Sequence, residues 1–293
     1  MDDQALRSEL YQRLLVGPDI ESIRAVQRDP DTISDLEEMV DALQAAKSTP
    51  PSAVIGFDTN ALKRYRGRGI ELGKVLDQSG EGLHFVIPGQ SYVEFYNNHD
   101  TFSKEQYKKI ETRIRELQRD FDGPLSDLDK RGLISGVDLT AVADSVAEFS
   151  DKFSPGNTKE NVNSTLEVLA SILNTGADVP FVSREQFLNL GNSRLASKTP
   201  PGWADHKTKG GQALGDFYCW ADFLLGLLRI AATDDNANGE RIAVFVSGDM
   251  KSDWNMSSFA HPYLAAECRA VTGFTLRKLT PDQLSSAIDT WSS

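Results

Sequence analysis

The sequence predicts an α/β fold built around a central parallel sheet. Short apolar runs that indicate buried strands alternate with longer segments of helical spacing, which is typical of parallel strands joined by crossover helices. The four runs are AVIGF (Ala53–Phe57), LHFVIP (Leu83–Pro88), IAVFV (Ile242–Val246) and FTLRKL (Phe274–Leu279). Of the 293 residues, 40% are hydrophobic and 25% are charged, which is an ordinary composition for a chain that buries a sizeable core.

Helical segments flank these strands. Residues 1–50 are predicted as an N-terminal helical extension, because apolar residues recur there at helical spacing until a Pro-rich linker follows. The main domain is expected to span residues 53–284, with a helical insertion at about residues 101–200. Residues 184–212 are polar and rich in Gly, Pro and Lys, and they predict a loop. A helix then runs from Asp216 to Ala231, ahead of the third strand.

Composition excludes several classes of protein. No apolar run approaches the roughly 18 residues that a membrane span needs, and the acidic, polar N-terminus does not resemble a signal peptide. Cys219 and Cys268 provide neither a disulfide framework nor the spacing of a zinc site. We therefore expect a cytoplasmic protein without membrane association. The formal net charge of -12 argues against broad nucleic-acid binding, although it allows a local basic strip.

Acidic residues follow the predicted strands at the points where they end. Asp58 comes directly after the first strand, and Asp249 follows the third after a Ser-Gly pair. Glu94 lies a few residues beyond the second strand, and Asp216 opens a helix on the face of its apolar residues. Because ligands of open parallel sheets bind beyond the carboxyl ends of the strands, we expect these four acids to meet in one cleft.

Such a cluster indicates a bound divalent cation. Converging carboxylates repel one another unless a cation neutralises them, and oxygen-only ligands favour Mg²⁺ or Mn²⁺ over Zn²⁺. A basic stretch follows Asp58 at once and could position a phosphate backbone, with Tyr65 as a stacking face for a base. Its basic members are Lys63, Arg64, Arg66 and Arg68. Together these features predict phosphodiester hydrolysis with one or two metal ions.

Each acid also has a purely structural interpretation. Asp58 and Asp216 are both suitable N-caps for the helices that follow them. Glu94, taken alone, is compatible with a solvated helix position, and the basic stretch is compatible with a solvated loop. The functional interpretation therefore depends on the acids occurring together, in this order and next to these elements.

The chain resembles the PIN-like nuclease domains, and more narrowly the PIN-like family with a long helical insertion and a D-x-K-x-D-W segment. The resemblance covers roughly residues 53–284 and leaves out the first 50 residues. The segments that carry it are FDTNAL (Phe57–Leu62), IPGQSYVEF (Ile87–Phe95), PPGWADHKTKGG (Pro200–Gly211), GDFYCW (Gly215–Trp220) and FVSGDMKSDWN (Phe245–Asn255). The family implies a three-layer fold with a central parallel sheet and a Mg²⁺- or Mn²⁺-dependent endoribonuclease activity.

The resemblance also implies roles for individual residues. The implied catalytic and metal-binding acids are Asp58, Glu94, Asp216 and Asp249, joined by Asp253 as a metal ligand. The predicted substrate-binding residues are Asn60, Lys63, Arg64 and Arg66, and the resemblance adds Lys207 and Lys251. Thr59 and Asn60 would order Asp58 by hydrogen bonds. The sequence departs from many relatives at His261, where they carry an arginine.

Single-stranded or structured RNA is the expected substrate, and the expected role is that of a toxin or a defence effector. An antitoxin, a defence-system protein and a second copy of the chain are candidate partners. Two other functions remain open. GDMKSD (Gly248–Asp253) has the form of the metal motif of haloacid-dehalogenase-like phosphatases, but Asn60 replaces the second aspartate of their nucleophile motif. The other alternative is a non-catalytic PIN-like module that binds RNA or protein.

Overall fold

The computed structural model divides the chain into two compact units. It describes residues 2–28, 41, 43, 45, 53–65, 69–80, 82–132, 138–152, 158–205, 214–233, 241–256 and 259–292. The first unit comprises Met1–Tyr96 and Leu166–Ser293, and the second comprises Asn97–Thr165. The segment at about residues 101–200 is therefore shared between the two units, with its last 35 or so residues in the first unit.

Four parallel strands form the central sheet of the first unit. The strands of the chain are β1 (Ala53–Phe57), β2 (Leu83–Val86), β3 (Ile242–Val246), β4 (Asn255–Met256), β5 (Phe259–Ala260) and β6 (Thr275–Leu279). The sheet order is β2-β1-β3-β6, and every pairing in it is parallel. β4 and β5 form a separate antiparallel pair. The predicted α/β class with a central parallel sheet is confirmed.

Helices make up most of the remaining described chain. They are α1 (Asp3–Val16), α2 (Ile20–Arg28), α3 (Thr59–Arg64), α4 (Gly69–Leu76), α5 (Gly89–Asn97), α6 (His99–Asp120), α7 (Ser126–Lys130), α8 (Leu139–Lys152), α9 (Thr158–Asn174), α10 (Arg184–Ser197), α11 (Leu214–Thr233), α12 (Pro262–Thr272) and α13 (Pro281–Ser292). A π-helical segment, Phe121–Leu125, joins α6 to α7, and Trp203–Asp205 forms a 3₁₀ turn. Within the described residues, none of these helices has the length and apolar character to cross a membrane.

Helices cover both faces of the sheet. On one face α11 packs so closely that a Cβ on Gly56 of β1 would lie 2.3 Å from the ring of Phe223, and Phe223 contacts Phe245 of β3. On the other face Phe57 contacts Tyr65, which directly follows α3. All five residues of β1 are buried, as expected for a parallel strand that is covered on both sides.

The direction of strand addition reverses between β1 and β3. β1 pairs with β2 on one side and with β3 on the other, although β2 and β3 both follow it along the chain. In open α/β sheets a ligand crevice forms at such a reversal, outside the carboxyl ends of the strands. Here the amide of Asp58 donates to the carbonyl of Val246 at 3.0 Å, which joins the residues that follow β1 to the end of β3.

The prediction of a loop at residues 184–212 is wrong for its first part, because Arg184–Ser197 forms α10. Ser183 caps the first turn of α10, and the helix buries Phe187 and Arg194. Arg194 forms a bidentate ion pair with Glu267 of α12, with N–O distances of 2.7 and 2.9 Å. Composition misled the prediction, because an arginine that is polar in the sequence is buried here against a distant glutamate.

The second unit is helical in its described part. α6, α8 and the π-helical segment contact one another, and Ile114 of α6 is buried while Val142 of α8 is exposed. Pro124 lies inside the π-helical segment. A proline supplies no N–H to the helix ladder, and the wider π turn is one way in which a helix accommodates that gap.

Candidate functional site

Asp58 ends β1 and caps α3 at the same time. Its Oδ1 accepts the backbone N–H of Ala61 at 2.6 Å, and its Oδ2 accepts the hydroxyl of Ser247, which follows β3. The residue is only 8% exposed. The capping role that the sequence allowed is therefore real, and it holds the carboxylate at the carboxyl edge of the sheet, beside the loop that carries Asp249.

Asp249 lies in the turn after β3. Its amide donates to Ser247 Oγ at 3.0 Å, so a single serine hydroxyl links Asp58 to the backbone of Asp249. The Asp249 carboxylate in turn accepts the backbone N–H of Lys251 at 2.9 Å, which closes a tight turn. These short local bonds fix the spacing between the two acids that follow the central strands.

Glu94 lies between the beginnings of α3 and α11. Its Oε2 accepts the hydroxyl of Thr59 at 3.0 Å, and its Oε1 accepts Gln90 Nε2 at 2.7 Å. A Cβ on Gly215 would lie 2.6 Å from the same Oε1, so α11 approaches this carboxylate closely. The expectation that Thr59 orders Asp58 is wrong, because the Thr59 hydroxyl binds Glu94, and Asn60, the other expected partner, is exposed.

Asp216 lies in the first turn of α11 and faces the side chain of Lys251. The Lys251 Nζ is 3.8 Å from Asp216 Oδ2, 2.8 Å from Asp249 Oδ2 and 2.8 Å from Asp205 Oδ2. Three carboxylates from three separate segments therefore surround one ammonium group. Asp205 was not predicted, because it lies in a polar segment whose sequence contains no strand or helix pattern to locate it.

Asp253, the fifth predicted acid, is fully buried and binds a loop. Its Oδ2 accepts the backbone N–H groups of Gly202 at 2.9 Å and Ala204 at 3.0 Å. Its Oδ1 has no hydrogen-bond partner within the described residues. The observed contacts thus give Asp253 an anchoring role for the turn that carries Asp205, and its role as a metal ligand stays a prediction.

Burial disfavours the charged form of two carboxyls at this edge, Asp58 and Asp216. Burial raises the pKa of Asp58 to about 6, with a smaller contribution from Asp249, against the hydrogen bonds from Ser247 and Ala61. Burial also raises the pKa of Asp216 to about 6; neighbouring carboxylates add to this, and Lys251 opposes it. Burial acts to lower the pKa of Lys251, but its ion pairs with the carboxylates outweigh that and raise it.

The donor chemistry of the edge fits a hard divalent cation. The available ligand atoms are carboxylate oxygens, which hard divalent cations prefer. Burial disfavours the charged form of two of these carboxyls, Asp58 and Asp216. Among the described residues, no group of three or more His, Cys, Asp or Glu side chains is arranged so that it could hold a metal ion. Instead the Lys251 ammonium lies where three of the carboxylates come together.

The predicted basic residues are distributed differently. Arg64 is exposed and pairs with Asp282 of α13 at 2.7 Å, and Lys63 is half-buried. Arg66, Arg68 and Lys207 lie outside the described residues. Lys278 of β6 was missed: its Nζ donates to the carbonyl of Asp249 and to Asn255 Oδ1, the latter at 2.6 Å. In the sequence, only its position near the end of β6, the strand beside β3, indicates that Lys278 lies close to the site.

A family model described as a PIN like domain matches residues 54–262, more than half of the chain. The matched range begins within β1 and ends at the first residue of α12, so it includes Asp58, Glu94, Asp205, Asp216, Asp249 and Asp253. No curated protein and no solved structure matched the chain.

Proposed function

Because the chain belongs to the PIN-like domain family, whose members are generally nucleases that use divalent metals, we propose that it hydrolyses single-stranded RNA with bound Mg²⁺ or Mn²⁺. One observation carries the proposal. At the carboxyl edge of the sheet, next to the reversal in strand order, Asp58 and Asp216 both interact electrostatically with Asp249, and burial raises the pKa of both.

The proposed metal ligands are Asp58, Glu94, Asp216 and Asp249, with Asp253 as a fifth candidate. When bound, a divalent ion supplies positive charge for phosphate oxygens and lowers the pKa of a water molecule. The chain's own hydrogen bonds hold two of the ligands ready: Ser247 holds Asp58, while Thr59 and Gln90 hold Glu94. In the proposed hydrolysis, the oxygen of a water bonds to phosphorus, the bond between phosphorus and the leaving oxygen breaks, and the proton released by the water goes to that leaving oxygen.

The proposed contacts to the RNA backbone come from basic residues around this edge. Lys63, Arg64, Arg66 and Lys207 remain candidates, and Lys251 and Lys278 lie at the acids themselves. The ion pair of Arg64 with Asp282 is exposed on both sides, and such pairs hold weakly, so a phosphate could replace Asp282 as the partner of Arg64. Asn60, which is exposed beside Asp58, is proposed to contact the substrate directly.

The proposal is tested by cleavage of a labelled single-stranded RNA by the full chain with Mn²⁺ or Mg²⁺. We expect cleavage by the wild type, loss of at least roughly 100-fold in Asp249→Asn and Asp216→Asn, and no cleavage with a chelator. Asp144→Asn, on the exposed face of α8, is the matched control and should cleave normally. An inactive wild type, or an Asp249→Asn variant that matches it, would reject the proposal.

A parallel assay with single-stranded DNA of the same sequence separates ribonuclease from general nuclease activity. For the cellular role we propose a toxin or defence effector that acts on RNA in the cytoplasm. Induction of the wild type should then arrest growth of the expressing cells, whereas Asp249→Asn should not. Growth arrest by both forms would contradict a role that depends on cleavage.

A further inference from the structure

The Lys251 ammonium forms close contacts with carboxylates from three separate parts of the chain. Its Nζ lies 2.8 Å from Asp249 Oδ2, 2.8 Å from Asp205 Oδ2 and 3.8 Å from Asp216 Oδ2. In the described part of the chain this ammonium lies among three carboxylates, from the turn after β3, a 3₁₀ turn and the start of α11. Without a cation among them these groups would repel one another.

The Asp205 carboxylate is delivered to this cluster by an anchored turn. Asp253 accepts the backbone N–H groups of Gly202 and Ala204, so it holds the turn from within the protein. The side chain of Asp205 is 14% exposed and ends at the Lys251 ammonium. The contacts of Asp253 therefore explain why a residue from a polar segment reaches the same place as Asp216 and Asp249.

The backbone of Lys251 is held by hydrogen bonds that do not involve its side chain. Its N–H donates to Asp249 Oδ1 at 2.9 Å, and its carbonyl accepts the N–H groups of Trp254 at 3.1 Å and Asn255 at 3.0 Å. The side chain is 33% exposed and has a flexible four-carbon stem. The ammonium can therefore move towards solvent without unfolding the turn that positions Asp249.

We propose that Lys251 is a tethered counter-ion of the metal site and that Asp205 is one of that site's carboxylate ligands. In the metal-free protein the ammonium holds Asp205, Asp216 and Asp249 together, and a divalent cation binds by displacing it. Competition with a tethered charge lowers the affinity for the metal and keeps the acids assembled before the metal arrives. This inference rests on the proposed function in one respect: both need these carboxylates to bind a divalent ion.

Calorimetric titration of the full chain with MnCl₂, without RNA, tests the proposal. Lys251→Met and Lys251→Gln remove the charge, and we expect both to bind Mn²⁺ at least about tenfold more tightly than the wild type. Lys251→Arg keeps the charge and should bind about as weakly as the wild type. Lys130→Met, at an exposed position of α7, is the control and should leave the affinity unchanged. Unchanged or weaker binding by both charge-removing variants would overturn the proposal.

Chemical labelling of the wild-type protein tests the displacement of Lys251 without relying on a variant that folds. Saturating Mg²⁺ should release the Lys251 ammonium and raise its labelling by an amine-reactive reagent severalfold, while Lys130 serves as the internal reference for peptide mass spectrometry. Equal labelling of Lys251 with and without Mg²⁺ would overturn the displacement.

The role of Asp205 is tested by a double variant. Adding Asp205→Asn to Lys251→Met should weaken Mn²⁺ binding again, and an unchanged affinity would show that Asp205 is not a ligand.

The outcomes distinguish this inference from the proposed function. If Lys251→Met binds Mn²⁺ more tightly but the wild type does not cleave RNA, the counter-ion role of Lys251 is supported and the ribonuclease activity is rejected. If the wild type cleaves RNA but the variants bind Mn²⁺ with unchanged affinity, the counter-ion role is rejected and the ribonuclease activity stands. Failure of every form to bind Mn²⁺ would overturn both.

Discussion

Replacement of Asp58 by asparagine should flatten the dependence of stability on pH in the metal-free protein. Burial raises the pKa of Asp58 from 3.8 to about 6 in the folded state. Between these two values the folded protein binds more protons at this carboxyl than the unfolded chain does. The free energy of unfolding therefore falls as the pH rises through this window, and the contribution is gone above pH 6 to 7.

The size of the effect follows from the two pKa values. At pH 5 the carboxyl is about ten times more protonated than ionised in the folded state, while it is almost fully ionised when unfolded. This preference contributes about 1 kcal/mol to stability at pH 5 and close to nothing at pH 7.5. Asparagine accepts the N–H of Ala61 as the carboxylate does but does not titrate, so the variant should lose about 1 kcal/mol less than the wild type between these pH values.

Urea denaturation with a chelator at pH 5 and at pH 7.5 measures this difference. The slope of the free energy against urea should be the same for both proteins, since the surface exposed on unfolding is unchanged. Asp144→Asn, an exposed acid on α8, should keep the pH dependence of the wild type. Equal loss of stability in Asp58→Asn and the wild type would refute the conclusion that burial raises the pKa of this carboxyl.

Two further substitutions test the packing around the site. Glu267→Gln leaves the buried Arg194 guanidinium without its ion pair, and we expect it to lower the free energy of unfolding by roughly 3–5 kcal/mol, measured by urea denaturation. Gly215→Ala places a Cβ 2.6 Å from Glu94 Oε1 and displaces that carboxylate, so cleavage should fall by roughly tenfold to a hundredfold while the melting temperature does not fall.

Each of these has a matched control. Glu116→Gln breaks an exposed ion pair with Arg113, and stability should hardly change. Gly123→Ala adds a Cβ with nothing within 4 Å, so activity should be unaffected. A Glu267→Gln variant as stable as the wild type would contradict the account of the buried pair, and full activity in Gly215→Ala would show that the position of Glu94 is not critical.

Much of the fold could be predicted because its strands have a strong local signal. β1 and β3 were predicted with the bounds that the structure has, since each is an uninterrupted apolar run that ends at a polar residue. α10 was missed because one of its buried residues, Arg194, depends on Glu267, 73 positions away. Local composition records hydrophobicity, and it contains no information about a partner that distant.

In the candidate site, too, local sequence predicts some features, whereas others depend on residues distant in the chain. The positions of Asp58 and Asp249 at the sheet edge followed from where the strands end, which the chain shows directly. The hydrogen bond from Thr59 to Glu94 spans 35 positions, and the pairing of Lys251 with Asp205 spans 46. Lys278 was missed because a lysine in a strand is, on sequence grounds, a solvent-facing residue.

By itself the sequence determined the strand and helix types, the acids that follow β1 and β3, and the family to which the chain belongs. These depend on periodicity and on short segments, both of which are local. Only the tertiary structure decided that an ammonium lies among the carboxylates of Asp205, Asp216 and Asp249. The reason is that Coulomb energy depends on distance in space, and residues far apart in the chain become neighbours only when the sheet and α11 pack together.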